Sequence, residues 1–178
     1  MRHVLNRVIV AIVVVCGAPA LAAAQTDKGS IGIGYVALAN PDRHFPGGWV
    51  FAATRNLDRR FALVGEASGG YATESISGGD VNLHTHSVLA GLRLQGLVTP
   101  RVSAFAQALI GGTFFGASGA DNWSDQAFTV QPGAGMDVRI TPKAGVRIQG
   151  DVRSHLAGGG EGFGELRVSV GAVFGFGR

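Results

Sequence analysis

The histidines are the first residues here whose type and spacing suggest chemistry. His84-x-His86 would set two imidazoles on one face of an extended strand. A protein metal site of that kind takes three or four ligands, and Asp80 is the only obvious local third. The pair therefore reads as two polar side chains at a sheet rim, satisfied by their polar surroundings. Nucleophilic hydrolysis needs a hydroxyl within reach of an imidazole. His86 and Ser87 are adjacent, as are Ser154 and His155, so on a strand each pair points to opposite faces. The glycines at Gly32 and Gly34, and the run Gly158-Gly159-Gly160, lack the Lys-Ser/Thr or strand-to-helix setting of a phosphate-cradling loop. No catalytic residue, metal or cofactor is expected.

A larger constellation is ionic. Glu66, Asp137, Asp151 and Glu165 recur among Arg93, Arg139, Arg147, Arg153 and Arg167, at alternate positions of otherwise apolar stretches. From Gly145 to Leu156, Val146, Ile148, Val152 and Leu156 share one parity, and Arg147, Gln149, Asp151, Arg153 and His155 the other. That is a strand with one apolar and one ionic face, since a helix would scatter the charges around its circumference. The same alternation runs from Phe128 to Ile140 and from Glu165 to Phe176. Strands are also expected near Gly29–Leu38, Gly48–Asn56, Arg60–Thr73, Val81–Gln95 and Arg101–Gly116. In Gly48–Asn56, Trp49 and Phe51 share parity with Arg55, so its faces stay unassigned.

The start of the chain stands apart. Arg2 and Arg7 precede an apolar run from Val8 to Cys16, and Gly17 and Pro19 break it before Ala22-Ala23-Ala24. This is the layout of a signal peptide cleaved after Ala24. The run is too short to span a bilayer as a helix, which takes about 20 apolar residues. Residues 1–24 are the expected leader and 25–178 one domain of 154 residues (178 − 24). Without Arg2 and Arg7 the net charge falls from +3 to +1, and no Lys/Arg run suggests nucleic acid. Cys16 leaves with the leader, so no disulfide is expected. Glycine makes up 29 of 178 residues, interleaved with Val, Ile, Phe and Ala, as in strands with bends or crowded interiors.

The connections alternate in length. Leu57 to Arg59, Gly96 to Pro100 and Thr141 to Ala144 are short, whereas Ala39–Gly47, Glu74–Asp80, Ala117–Asp125 and Ala157–Gly164 are longer. The longer set carries Asp42, Glu74, Asp80, Asp121, Asp125 and Glu161 against Arg43 alone, and reads as a solvated rim. Eight strands so connected fit an up-and-down antiparallel barrel crossing a membrane, short turns on the periplasmic side. A soluble lipocalin-like barrel, binding an apolar ligand with its apolar face turned inward, is the alternative. Closely mixed charges favour the membrane barrel, because a narrow lumen tolerates buried ions only when they are paired.

The final residues Ser169, Gly171, Phe174 and Phe176 look like the C-terminal assembly signal of outer-membrane barrels, although Gly177 and Arg178 follow. The chain resembles the bacterial outer-membrane protein β-barrel domain family, small eight-stranded barrels similar to the membrane domain of outer membrane protein A. The likeness is carried by GWVFAATRNLDRRFALVGEASGGY, SVLAGLRLQ…TPRVSAFAQALIGG, FTVQPGAGMDVRITPKAGVRIQGDVR and LRVSVGAVFGFG. It implies residence in the cell outer membrane among lipid and lipopolysaccharide. It also implies delivery by periplasmic chaperones and insertion by the barrel assembly machinery. The His and Ser two apart that mark a lipid A deacylase are missing. Trp49, Tyr35, Tyr71, Trp123 and Phe176 read as interface-belt aromatics. The expected role is structural, adhesive or envelope-integrity, with the lumen filled by Arg, Gln, Asp and Glu. A small porin or a lipid-modifying enzyme is a further alternative.

Overall fold

A computed structural model describes residues 28–39, 44–76, 79–119, 122–156 and 163–177. The expected leader, residues 1–24, lies outside them. The described elements are all strands: β1 (Gly29–Ala39), β2 (His44–Phe45), β3 (Gly47–Asn56), β4 (Phe61–Ile76), β5 (Gly79–Thr99), β6 (Val102–Gly119), β7 (Trp123–Arg139), β8 (Ala144–Leu156) and β9 (Phe163–Phe176). Eight are long and pair antiparallel in chain order. β1 also pairs with β9, from Gly29↔Phe176 to Ala39↔Leu166, and the sheet closes on itself. Closure removes the open edges that would otherwise template pairing with other chains. The two-residue β2 folds back on the end of β1, Leu38 opposite Phe45.

Alternation decides what each face meets. Ile33, Phe51, Leu63, Val88, Leu92, Ile110, Phe128, Ile148, Val168 and Phe174 all point outward and are exposed. Arg93, Gln107, Gln131, Gln149, Asp151, Arg153, Glu165 and Arg167 point inward and are buried. A water-soluble barrel has the reverse arrangement, so the lipocalin-like alternative is corrected. An apolar band around a closed barrel matches a bilayer, where every backbone polar group must be satisfied internally. The strand whose faces alternation left open also resolves. Trp49, Phe51 and Arg55 face out, while Val50, Ala52 and Thr54 are buried within. Arg55 is compatible with the outer face because it pairs with Gly29 at the short-turn end of β1, at the edge of the apolar band.

The strands run further than turn residues suggest. β4 and β5 stay paired up to Ile76↔Gly79, so most of the expected loop Glu74–Asp80 is sheet. β5 and β6 likewise remain paired to Val81↔Gly119. At the other end β5 continues to Thr99 across a register shift between Leu97 and Thr99, leaving a tight turn at Pro100 and Arg101. Thr99 Oγ1 accepts from the N–H of Val102 at 3.1 Å and helps fix that turn. In the β3–β4 turn, Asp58 accepts from the N–H groups of Arg60 and Phe61 at 2.6 and 2.7 Å. β7 tolerates Pro132 mid-strand. The β7–β8 ladder skips from Val130↔Ser154 to Gly133↔Asp151, because proline has no N–H to donate.

At the long-connection end the chemistry of the two faces inverts. Val36, Leu38, Phe45, Val81, Leu83 and Ala117 form an apolar cluster inside the barrel. Outside at that level stand exposed Thr73 and Asn82, which hydrogen-bond to each other at 3.0 Å. The inward parity of β5 thus changes from Val81 and Leu83 to Thr85, Ser87 and Arg93, while its outward parity changes from Asn82 to Val88 and Leu92. A strand leaving the bilayer must turn polar outside, and its inner face then supplies the apolar core.

Candidate functional site: the barrel lumen

Arg153 is the hub of the lumen. It projects from β8, which stands four strands from β4 in either direction around the closed sheet. Its Nη2 donates to Ser68 Oγ on β4 at 2.8 Å and lies 3.7 Å from Glu66 Oε1. Nη1 donates to Ser87 Oγ on β5 and to Glu165 Oε1 on β9, both at 3.2 Å, and Nε donates to Gln131 on β7. One guanidinium therefore ties five strands together across the barrel. The planar fork suits the task, because its donors diverge in fixed directions.

Arg167, on β9, extends the cluster. It donates from Nη1 to Glu66 Oε1 and stands 3.4 Å from Asp151 Oδ2. Glu66 also accepts from Gln131 Nε2 at 3.1 Å, and Gln149 Nε2 donates to both oxygens of Asp151. Space for Asp151 comes from Gly133 opposite, where an added Cβ would sit 2.8 Å from the carboxylate carbon. Beside the ions runs a hydroxyl chain: Ser87 to Thr113 at 2.9 Å, Thr113 to Thr129 at 2.7 Å, and Thr129 to His155 Nδ1 at 2.9 Å. His155 Nε2 in turn lies 3.6 Å from Glu165.

Of the residues the sequence singles out, Glu66, Asp151, Arg153, Glu165 and Arg167 come together. Asp137 and Arg147 form a separate bidentate pair towards the short-turn end, at 2.7 and 2.8 Å. Arg93 departs from the expected pairing with a carboxylate. It donates to Gln107 Oε1 from Nε and Nη2, and its guanidinium lies over the Phe105 ring, 4.0 Å from the centroid. Ring and amide together replace a counter-ion, which cation–π attraction allows at a desolvated site. Arg139 joins no ion pair among the described residues and lines the short-turn mouth instead. Nor is the lumen filled by polar side chains alone. Val64, Leu89 and Leu109 pack within it, besides the apolar cluster at the long-connection end.

The other motifs fall on the exterior or apart. His84 and His86 face outward near the long-connection end, and His86 packs against Trp49 and Tyr71 with ring centroids 6.3 and 5.7 Å away. Gly69 admits this packing, because a Cβ there would lie 2.7 Å from Trp49 Nε1. No group of three or more His, Cys, Asp or Glu able to hold a metal occurs among the described residues. Ser87 is buried in the lumen while His86 faces out, and Ser154 is exposed while His155 is buried, so neither pair meets. Phe174 and Phe176 are exposed on the outer face of β9, and Ser169 and Gly171 line its inner face. Of the acidic loop residues, Asp42, Asp121 and Glu161 lie outside the described residues.

No protein-family model matches the chain, and no curated protein matches it in sequence. Solved structures do. The chain is similar to neisserial surface protein A, with a TM-score of 0.65 and 9% identity over 83% of this chain and 96% of that one. It is similar to the attachment invasion locus protein of Yersinia pestis, with a TM-score of 0.55 and 16% identity over the same shares of the chains. It is also similar to the N-terminal β-barrel domain of Pseudomonas aeruginosa OprF, with a TM-score of 0.52 and 15% identity over 85% of this chain and all of that domain. At such identities the likeness is one of fold, and the fold is that of the small eight-stranded outer-membrane barrels.

Proposed function

We propose that this integral barrel of the bacterial outer membrane is sealed to ions and serves a structural, adhesive or envelope-integrity role rather than transport. The observation that carries this reading is the Arg153 hub, which reaches Ser68 and Glu66 on the opposite wall. An eight-stranded barrel has an interior just wide enough for side chains to fill. The ionic side chains inside also balance: Arg93, Arg147, Arg153 and Arg167 against Glu66, Asp137, Asp151 and Glu165, four of each. A permeating ion would have to displace a partner from a neutral, hydrogen-bonded set.

Loops at the long-connection end would then face the cell exterior and its lipopolysaccharide, with the short turns in the periplasm. Residues 1–24 would serve as the export leader and be removed after Ala24. Ser169, Gly171, Phe174 and Phe176 would be read by the barrel assembly machinery after chaperone delivery; the outward Phe174 and Phe176 support this, since they stay accessible on the rim of β9. The purified protein in a planar bilayer tests the sealed lumen. The expected result is no steady current, and a stable, salt-proportional conductance would make it a small porin.

A further inference from the structure

We infer that the short-turn mouth of the barrel is a binding site for a phosphate-class oxyanion. A cavity of about 130 Å³ opens there, and Arg59, Arg101, Arg139, Lys143 and Arg147 line it. Among the described residues that line it, Asp137 is the only carboxylate, which leaves them with an excess of four positive charges (5 − 1). That carboxylate is already engaged, held through both oxygens by Nε and Nη2 of Arg147. Asp58, on the neighbouring turn, accepts from the N–H groups of Arg60 and Phe61 through Oδ1 and is not among the residues that line the cavity. Arg59, Arg101, Arg139 and Lys143 make no ion pair among the described residues.

Arg147 gives the site a built floor. It is buried to 7% exposure and lines the cavity, held there by Asp137 through Nε and Nη2. The lumen behind it is charge-balanced, so the excess is confined to the mouth. Guanidinium forks recognise planar or tetrahedral oxyanions bidentately, with a lysine adding a point charge. A monocarboxylate would neutralise only a quarter of the excess, whereas a phosphate of two or more charges offsets more of it and has oxygens for several forks. The ligand chemistry is thus a phosphate, carried either by a lipid headgroup at the inner leaflet or by a soluble molecule. The site depends on the barrel fold and not on whether the lumen conducts.

The test is calorimetric titration of the whole protein, purified in a maltoside detergent, with inorganic pyrophosphate at low ionic strength. One saturable site is expected, weakening as salt is raised. Arg101→Ala and Arg139→Ala should each weaken it about tenfold or more, the loss of one charge-assisted contact. Arg60→Ala removes the same charge from a turn residue outside the cavity lining and should leave the affinity unchanged. Heat-modifiable gel migration checks folding, and if Arg139→Ala does not fold, exposed Arg101 and Lys143 carry the test. No saturable heat, or equal weakening by Arg60→Ala, overturns the site in favour of diffuse surface charge. Adding phosphatidylglycerol to the micelles separates the sources. Competition with pyrophosphate assigns a lipid headgroup and undisturbed binding assigns a soluble phosphate; both sustain the site.

Discussion

Replacing Glu66 with glutamine isolates charge from shape. The side chain is almost fully buried at 4% exposure, and it accepts from Arg167 Nη1 and from Gln131 Nε2. Glutamine keeps the volume and one acceptor oxygen, so no cavity forms and the contact with Arg167 persists as a weaker, neutral-acceptor bond. What is lost is a negative charge among Arg153 and Arg167, turning a balanced lumen into one with a surplus cation. Breaking a buried pair by removing one partner costs about 3–5 kcal/mol. With the retained hydrogen bond, about 3 kcal/mol is expected for Glu66→Gln. Urea unfolding of the detergent-solubilised barrel, followed by heat-modifiable migration and tryptophan fluorescence, measures it. Asp125→Asn, at an exposed site, should stay within about 0.5 kcal/mol of wild type. Arg167→Met should cost less in the Glu66→Gln background than alone, with a coupling of about 1 kcal/mol or more between the contacting pair. A loss below about 1 kcal/mol with no coupling is surface ion-pair behaviour and would refute the view of Glu66 as a desolvated counter-ion.

Gly133→Ala should destabilise the barrel by forcing Asp151 away from Arg167, since the new methyl would sit 2.8 Å from the carboxylate carbon. Gly133→Ala should cost less in an Asp151→Ser background, which already lacks the carboxylate, than in the wild type, and an equal cost in both backgrounds by the same unfolding assay would refute the clash. Val168→Arg places a cation on the lipid face, at a position 52% exposed, and should cost about 2–4 kcal/mol near the bilayer midplane, with Val168→Leu close to neutral. Equal stability of the two in refolding yields would mean that β9 does not face lipid there. At the β3–β4 turn, the backbone N–H groups of Phe61 and Arg60 hold the Asp58 carboxyl below its ordinary value. A lowered native pKa means that this contribution is present above pH ~4 and is lost as the pH falls through the native value. The protection factor of the Phe61 amide, its exchange rate taken relative to the intrinsic rate at each pH, should therefore fall on acidification in the wild type and show no such step in Asp58→Ala.

Much of the wall of this barrel was written in the sequence. Val146, Ile148 and Val152 against Arg147, Asp151 and Arg153 fix a strand and its two faces, because side chains alternate whatever the strand packs against. The same rule made β7 and β9 legible, along with the turn at Asp58. It failed for Trp49, Phe51 and Arg55, which share a face only because Arg55 lies where the apolar band ends. It also could not foresee that the inner face of β5 turns from Val81 and Leu83 to Thr85 and Ser87, since the change follows the bilayer boundary rather than the strand period. The lumen contacts belonged wholly to the tertiary structure. Glu66 and Arg167 are 101 residues apart, and Arg153 reaches Ser68 from 85 residues away. Nothing along the chain says that β8 faces β4, or that Arg93 meets Gln107 and Phe105 in place of a carboxylate. Alternation is a local, one-dimensional property of each strand, whereas the partners inside are set by strand number, tilt and stagger once the sheet has closed.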